Sequence, residues 1–261
     1  MKGQNTMPLE IMTIPCLSDN YAFLAHDAAS GETALIDVPE AGPVIDALAR
    51  TGWSLSHVLL THHHADHIQG LPELLAKHPA IVVGAKADAS RLPDLDIALA
   101  EGDTITIGAD TGRVIDVSGH TIGHIAFHFP ASNAVFTADS LMALGCGRLF
   151  EGTPTQMWTS LSKLAALPAD TTVYSGHEYT TANGAFALTI EPGNAALVAR
   201  VADIKTARAN DVPTVPSPLA LELATNPFLR AAEPSVQKGV GMTGADPVAV
   251  FTEVRARKDN F

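Results

Sequence analysis

Short apolar runs bounded by turn residues recur through the first two thirds of the chain. TALIDV (33–38), HVLLT (57–61), AIVVG (80–84), TITIG (104–108), RVIDVS (113–118), IAFHF (125–129), AVFTAD (134–139) and TVYSG (172–176) read as strands. Several are apolar almost throughout, which predicts cover on both faces. Helical periodicity lies between some of them, over GPVIDALART (42–51), GLPELLAKH (70–78) and TPTQMWTSLSKLAAL (153–167). Thr153 is placed to cap the last of these, with Pro154 at its first position. Strands with helices interspersed predict two packed sheets with helices outside. Beyond about residue 178 the texture changes. NGAFALTI (183–190) and NAALVARVADIKTARAN (194–210) are helical, VPTVPSP (212–218) is a three-proline loop, and DPVAVFTEVRARKDN (246–260) is a helix led by Asp246 and Pro247. A boundary is therefore expected near 178, dividing 1–178 from 179–261.

Composition narrows the class. Against 16 basic residues stand 28 acidic ones, a net charge of −12 that argues against non-specific nucleic-acid binding. Cys16 and Cys146 are the only cysteines, so neither a disulfide framework nor a cysteine-rich zinc site is implied. The stretch MKGQNTMPLEIMTIP lacks a continuous apolar core and a cleavage site, and no apolar run approaches the length of a membrane span. A cytoplasmic protein is expected.

THHHADH (61–67) puts four histidines and an aspartate into seven residues. In an extended segment His62 and His64 point the same way and His63 the other. Asp66 and His67 are adjacent and point differently, so one loop can serve two metal ions. Imidazole and carboxylate together suit borderline metals; the alternative is an exposed polar loop. Further donors follow apolar strands directly: His120 after RVIDVSG, Asp139 after AVFTA and His177 after TVYSG. Each alone has a plain reading. His120 can cap a turn, and Asp139 can cap a helix at Ser140. His124 is expected to shape its loop, while His26, His57, His78 and His128 are expected to be surface or structural. Cys146 lies near these residues in sequence but has no obvious partner base.

The order H62-x-H64-x-D66-H67, H120-T-I-G-H124, D139 and G176-H177 resembles the metallo-β-lactamase superfamily. LSDNYAFL (17–24), GCGRLFEGT (145–153), SGHEYT (175–180), NPFLR (226–230) and RARKDNF (255–261) resemble, within it, the glyoxalase II (hydroxyacylglutathione hydrolase) family. The resemblance covers the whole chain. It implies an αββα metallo-β-lactamase sandwich over 1–178 and a helical glutathione-binding domain over 179–261. It also implies two divalent metal ions, zinc being expected and iron or manganese compatible. His62, His64 and His120 match the ligands of the first, Asp66, His67 and His177 those of the second, and Asp139 the bridging carboxylate. Arg148, Tyr179, Arg255 and Lys258 match substrate contacts, the last two at the glycine carboxylate of glutathione. Phe150 stands where the family usually has tyrosine, so one hydroxyl contact is expected to be missing.

The implied reaction is hydrolysis of S-(2-hydroxyacyl)glutathione, S-lactoylglutathione giving D-lactate and glutathione, in methylglyoxal detoxification. Water activated by the two ions attacks the thioester carbonyl, with Asp66 able to hold its proton. No nucleic-acid or membrane partner is implied, and a monomer is expected. The basic group Arg255, Arg257 and Lys258 has a plainer reading too, as complement to a helix C-terminus. Rival functions on this fold are lactone or β-lactam hydrolysis, another thioester, persulfide dioxygenation at a single iron, nucleic-acid cleavage, and non-catalytic metal binding. Thioester hydrolysis with and without chelator separates them.

Overall fold

The apolar runs do form strands, and those of the first half build two sheets. In the computed structural model, which describes residues 7–261, contacts divide the chain into two compact units. The first holds the described residues of Met1–Asp116 together with Ile122–Phe136. The reading of the N-terminal stretch falls partly on residues 1–6, which lie outside the described residues.

The first sheet opens with β1 (Glu10–Cys16) and β2 (Asn20–His26), paired antiparallel from Glu10–His26 to Cys16–Asn20. β3 (Thr33–Ile36) adds antiparallel to β2. β4 (His57–Leu59), β5 (Ile81–Ala85) and β6 (Ile97–Leu99) then add in parallel. A parallel step needs a long crossover. Helix α1 (Ala41–Thr51) supplies the first, and the turn α2 (Ala65–Ile68) with α3 (Leu71–Lys77) supplies the second. β1 and β2 are not among the strands expected from pattern. β2 has every side chain buried, polar Asn20 and His26 included, so it shows no alternation, and β1 alternates only at its end.

The second sheet of this unit runs β7 (Thr104–Ile107), β8 (Asp110–Asp116), β9 (Ile125–Phe129) and β10 (Ala134–Ala138), each antiparallel to the next. Phe23 of β2 meets Phe136 of β10 at 5.8 Å between ring centroids, and Phe129 meets Phe136 at 6.1 Å. These buried rings join the facing sheets. Most of these strands end one or two residues before the runs read from sequence do, while β9 ends with its run and β5 one residue beyond it. β3 stops at Ile36 because Asp37 takes φ +57°, and β10 stops as Ala138 takes φ +41°. For residues with a side chain that region is costly and marks a constrained position.

The second unit comprises Val117–Thr121 and Thr137–Phe261. It contains β11 (Leu141–Met142), β12 (Gly145–Cys146), α4 (Pro154–Ala165), β13 (Thr172–Ser175), α5 (Thr180–Ile190) and α6 (Ala195–Ala209). β14 (Ser217–Pro218), α7 (Leu219–Thr225), α8 (Pro234–Gly239) and α9 (Pro247–Asp259) follow. The caps read from sequence are in place. Thr153 and Gln156 form a reciprocal capping box, and Asp246 accepts from Val248 N. Helix α5 starts three residues earlier than its pattern predicts, and within it Asn183 donates to the Ala143 carbonyl at 3.1 Å. Short α7 and α8 have no helical repeat to read. Among the described residues no helix is long and apolar enough to cross a membrane.

Buried Glu222 joins the parts of this unit. Its carboxylate accepts from Leu144 N (2.9 Å), Ser217 Oγ (2.6 Å), Asn226 Nδ2 (3.1 Å) and the guanidinium of Arg200, itself buried. Asn226 also donates to the carbonyls of Met142 and Gly145, fixing the β11–β12 hairpin. Glu222→Ala leaves the Arg200 charge buried without its partner, which costs about 3–5 kcal/mol. Urea unfolding should show a midpoint lowered accordingly, and the further change Arg200→Ala should cost less in that background than alone.

Candidate metal and substrate site

The first unit carries one set of donors. Beyond β4, residues 60–64 belong to no helix or strand, and the chain is extended at His64 before it turns into α2, which bears Asp66 and His67. The expected extension thus ends at His64 and does not reach Asp66 and His67. Asp37 anchors the segment: its carboxylate accepts from Thr61 N, Thr61 Oγ1 and His67 Nδ1, each at 2.8 Å. A carboxylate can only accept, so His67 carries its hydrogen on Nδ1 and presents Nε2 as a ligand. His62 and His64 place ligand nitrogens within 4.8 Å of each other, and Asp66 Oδ2 lies 3.8 Å from His67 Nε2. Asp37, His62 and His67 form a further buried donor group. His63 turns away and pairs through Nδ1 with buried Asp88 at 2.9 Å. His124 is buried and stacks on His62, centroids 4.5 Å apart and planes 9° from parallel.

The second unit carries the other set. Asp139 Oδ2 lies 3.4 Å from His120 Nε2 and 3.3 Å from His177 Nε2. Gly176 N donates to the Ala138 carbonyl at 3.0 Å, which brings the end of β13, and His177 with it, beside Asp139. His120 lies four residues past the end of β8 rather than at a strand end. Its Nδ1 is 2.8 Å from the Arg148 carbonyl, which again fixes the hydrogen on Nδ1 and the lone pair on Nε2. This loop tolerates only glycine at 147: an added Cβ would lie 1.9 Å from the Asp139 carbonyl oxygen and 2.9 Å from His120 Nδ1. Two imidazole nitrogens converging on one carboxylate oxygen suit a divalent cation, and the donor chemistry of both sets is that of a borderline metal site.

Two aromatic side chains of this unit adjoin the second set, and a cationic group lies elsewhere in the same unit. Tyr179 stacks on His177 at 4.7 Å and 7°, and Phe150 meets His120 edge-on at 5.3 Å; both rings are substantially exposed. Arg148 is exposed, 3.5 Å from Asp259. Lys258 is half-buried, its ammonium 5.4 Å from the Phe186 ring centre and 5.2 Å from that of Phe261. Burial and then the charges of Arg255 and Arg148 hold its pKa below the usual lysine value. Arg255 is buried, donating to the Cys146 carbonyl at 3.0 Å and to Asp259 at 2.8 Å. Burial pushes the Cys146 thiol up to about 11, which leaves it un-ionised and a poor nucleophile near neutral pH.

Residues 20–177 match the metallo-β-lactamase superfamily, and residues 178–261 match the hydroxyacylglutathione hydrolase C-terminus. The hydroxyacylglutathione hydrolase of Ruegeria pomeroyi is 64% identical over 255 residues, covering 98% of this chain and 100% of the relative. That of Jannaschia sp. is 66% identical over 252 residues, covering 97% and 98%. The chain belongs to the hydroxyacylglutathione hydrolase family of the metallo-β-lactamase superfamily. Among solved structures, ETHE1 from Myxococcus xanthus is similar with a TM-score of 0.65 at 26% identity, covering 97% of this chain and 98% of that one. The BLEG-1 B3 metallo-β-lactamase has a TM-score of 0.64 at 22% identity, covering 84% and 99%. The fold is that of the metallo-β-lactamases, followed by the helical hydroxyacylglutathione hydrolase domain.

For this hydroxyacylglutathione hydrolase family member, sequence reading passed over two residues. Asp37 ends the run TALID just as Asp139 ends AVFTAD, so a strand-end acid was there to be noticed. Asn20, which donates to Asp66, gave no signal beyond its place in the LSDNYAFL motif. Removing an outer partner of a metal-ligating histidine typically weakens metal affinity about 10–100-fold. Asp37→Ala should weaken zinc binding by that order in a competitive chelator titration, whereas His63→Ala should leave it unchanged. Equal losses in the two variants would show that His63 belongs to the ligand set.

Proposed function

We propose that this protein hydrolyses S-(2-hydroxyacyl)glutathione thioesters, S-lactoylglutathione above all, to the hydroxy acid and glutathione, at a centre of two divalent metal ions. The carrying observation is full-length similarity to relatives named hydroxyacylglutathione hydrolase; beside it stands a donor order, H62-x-H64-x-D66-H67, His120, Asp139 and His177, that resembles that family's. His62, His64 and His120 would hold one ion, Asp66, His67 and His177 the other, with Asp139 shared; all seven fall inside the superfamily match at 20–177. Zinc fits the imidazole and carboxylate donors best, and iron or manganese fit them as well. When bound, such a pair supplies an activated water near neutral pH and polarises a carbonyl.

The chain's own residues do the rest. Asp37 and the Arg148 carbonyl hold His67 and His120 in the tautomer that offers Nε2. The carboxylate of Asp66 can take the proton of the attacking water. Tyr179 and Phe150 flank His177 and His120 with exposed aromatic rings against which a substrate could pack, and Phe150 offers no hydroxyl to the thioester. Glutathione leaves as a thiolate, which needs no acid. Arg148, Arg255 and Lys258 make a local positive region in an acidic protein; burial chiefly lowers the Lys258 pKa, and the charges of Arg255 and Arg148 lower it further. A substrate carboxylate would offset those like charges. We place the catalytic part in 1–178 and the glutathione-binding part in 179–261, in line with the two family matches. A cytoplasmic monomer without nucleic-acid or membrane partners fits the acidic chain and its two free cysteines.

Asp139→Ala tests the shared ligand. It should lose bound metal and nearly all turnover of S-lactoylglutathione. One tightly bound ion in fully active wild-type protein, by elemental analysis, would refute the two-ion reading.

Lys258→Ala tests the docking role. A charged hydrogen bond to a carboxylate contributes roughly 1.5–3 kcal/mol, and partial exposure favours the lower end. KM should rise about tenfold, with kcat and metal content unchanged, since the loss is of uniform binding. A small thioester without the glutathione carboxylates should be turned over equally by variant and wild type. Arg255 is a poorer probe, because its guanidinium also holds Cys146 and Asp259. An unaltered KM for the glutathione thioester in Lys258→Ala would reject the clamp.

A further inference from the structure

Asn20 is buried at the start of β2, where the β1–β2 hairpin closes. Its side-chain Nδ2 donates to two atoms of Asp66, 46 residues away: the backbone carbonyl and Oδ2, both at 3.0 Å. Asp66 needs such support. It sits on α2, a helix of only four residues, and its side chain is 44% exposed. So short a helix is not stable by itself, and carbonyls in its last turn lack helical partners. An exposed carboxylate there would sample several rotamers. The bond from Asn20 satisfies one such carbonyl and selects one rotamer. The oxygen it holds is Oδ2, the one that lies 3.8 Å from His67 Nε2. His67 is fixed from behind by Asp37, so the two neighbouring donors are held by partners from two different strand ends.

The choice of an amide has a chemical reason. Aspartate at this position would set a second negative charge against Asp66. Lysine or arginine would neutralise the Asp66 carboxylate and compete with a cation for it. A neutral N–H donor orients the carboxylate and leaves its charge available to a metal.

We infer that Asn20 is a positioning residue that sets the Asp66 carboxylate for one of the two metal ions. This rests on the two-ion reading given above. Asn20 acts through Asp66 and touches neither substrate nor metal.

The test compares Asn20→Ala, Asn20→Asp, Asp66→Ala and the double variant Asn20→Ala/Asp66→Ala, each loaded with zinc. Zinc per chain is measured by elemental analysis and zinc release by transfer to EDTA. Asn20→Ala and the near-isosteric Asn20→Asp should each weaken one of the two zinc ions about 10–100-fold, the usual size for an outer partner. The other ion should be released at the wild-type rate. In the Asp66→Ala background, Asn20→Ala should add nothing, because the two residues act as one unit. Wild-type retention of both ions in Asn20→Ala and Asn20→Asp would overturn the inference, as would an undiminished further loss in the double variant. If Asp66→Ala itself keeps both ions, the assignment of Asp66 as a ligand fails, and the role of Asn20 fails with it.

Discussion

The Asp37 carboxylate is the contact on which the metal loop depends. It is buried, it follows β3 in a costly left-handed backbone conformation, and it accepts three hydrogen bonds from Thr61 and His67. Those bonds fix the start of the ligand loop at Thr61 and its end at His67. A buried carboxylate without such donors would be strongly disfavoured. The same bonds decide which nitrogen of His67 faces outward. One interaction therefore sets loop position, tautomer and ligand direction together.

The same logic recurs around the other donors. Groups from behind hold His120 and Asp66, namely the Arg148 carbonyl and the Asn20 amide, while Asp88 holds His63 away from them. Two positions of strained backbone, Asp37 and Ala138, flank donor segments, which is where strain is expected when geometry rather than stability has been selected. Clustering carboxylates and imidazoles in an acidic chain opposes folding unless a cation joins them. The hydrogen-bond framework offsets part of that cost and keeps the donors in place.

Much of this was legible in the sequence. H-x-H-x-D-H, His120, Asp139 and His177 stand out because metal-capable side chains are rare directly after apolar runs, and the structure brings His120, Asp139 and His177 together around one oxygen. The alternation argument separated His63 from its neighbours, and Asp88 accounts for where it goes. Helix caps at Thr153 and Asp246 were readable from local chemistry alone. β1 and β2 were not, because β2 is buried throughout yet begins and ends on polar Asn20 and His26, and β1 is largely half-exposed with alternation only at its end. Asp37 and Asn20 were missed for a different reason: each acts on another side chain across 24 to 46 residues of chain, and no local pattern encodes such a pairing. Arg255 read as a contact to the glycine carboxylate of glutathione, or more plainly as complement to a helix end; in the structure its guanidinium is buried against Cys146 and Asp259, a setting no local pattern shows.

The central claim is that two metal ions held by these donors drive thioester hydrolysis. Titrating zinc into the metal-free protein while following S-lactoylglutathione hydrolysis tests it directly. Turnover should be absent without metal, rise until two equivalents are bound, and vanish again on chelation. Full turnover in metal-free protein, or a plateau at one equivalent, would contradict the account.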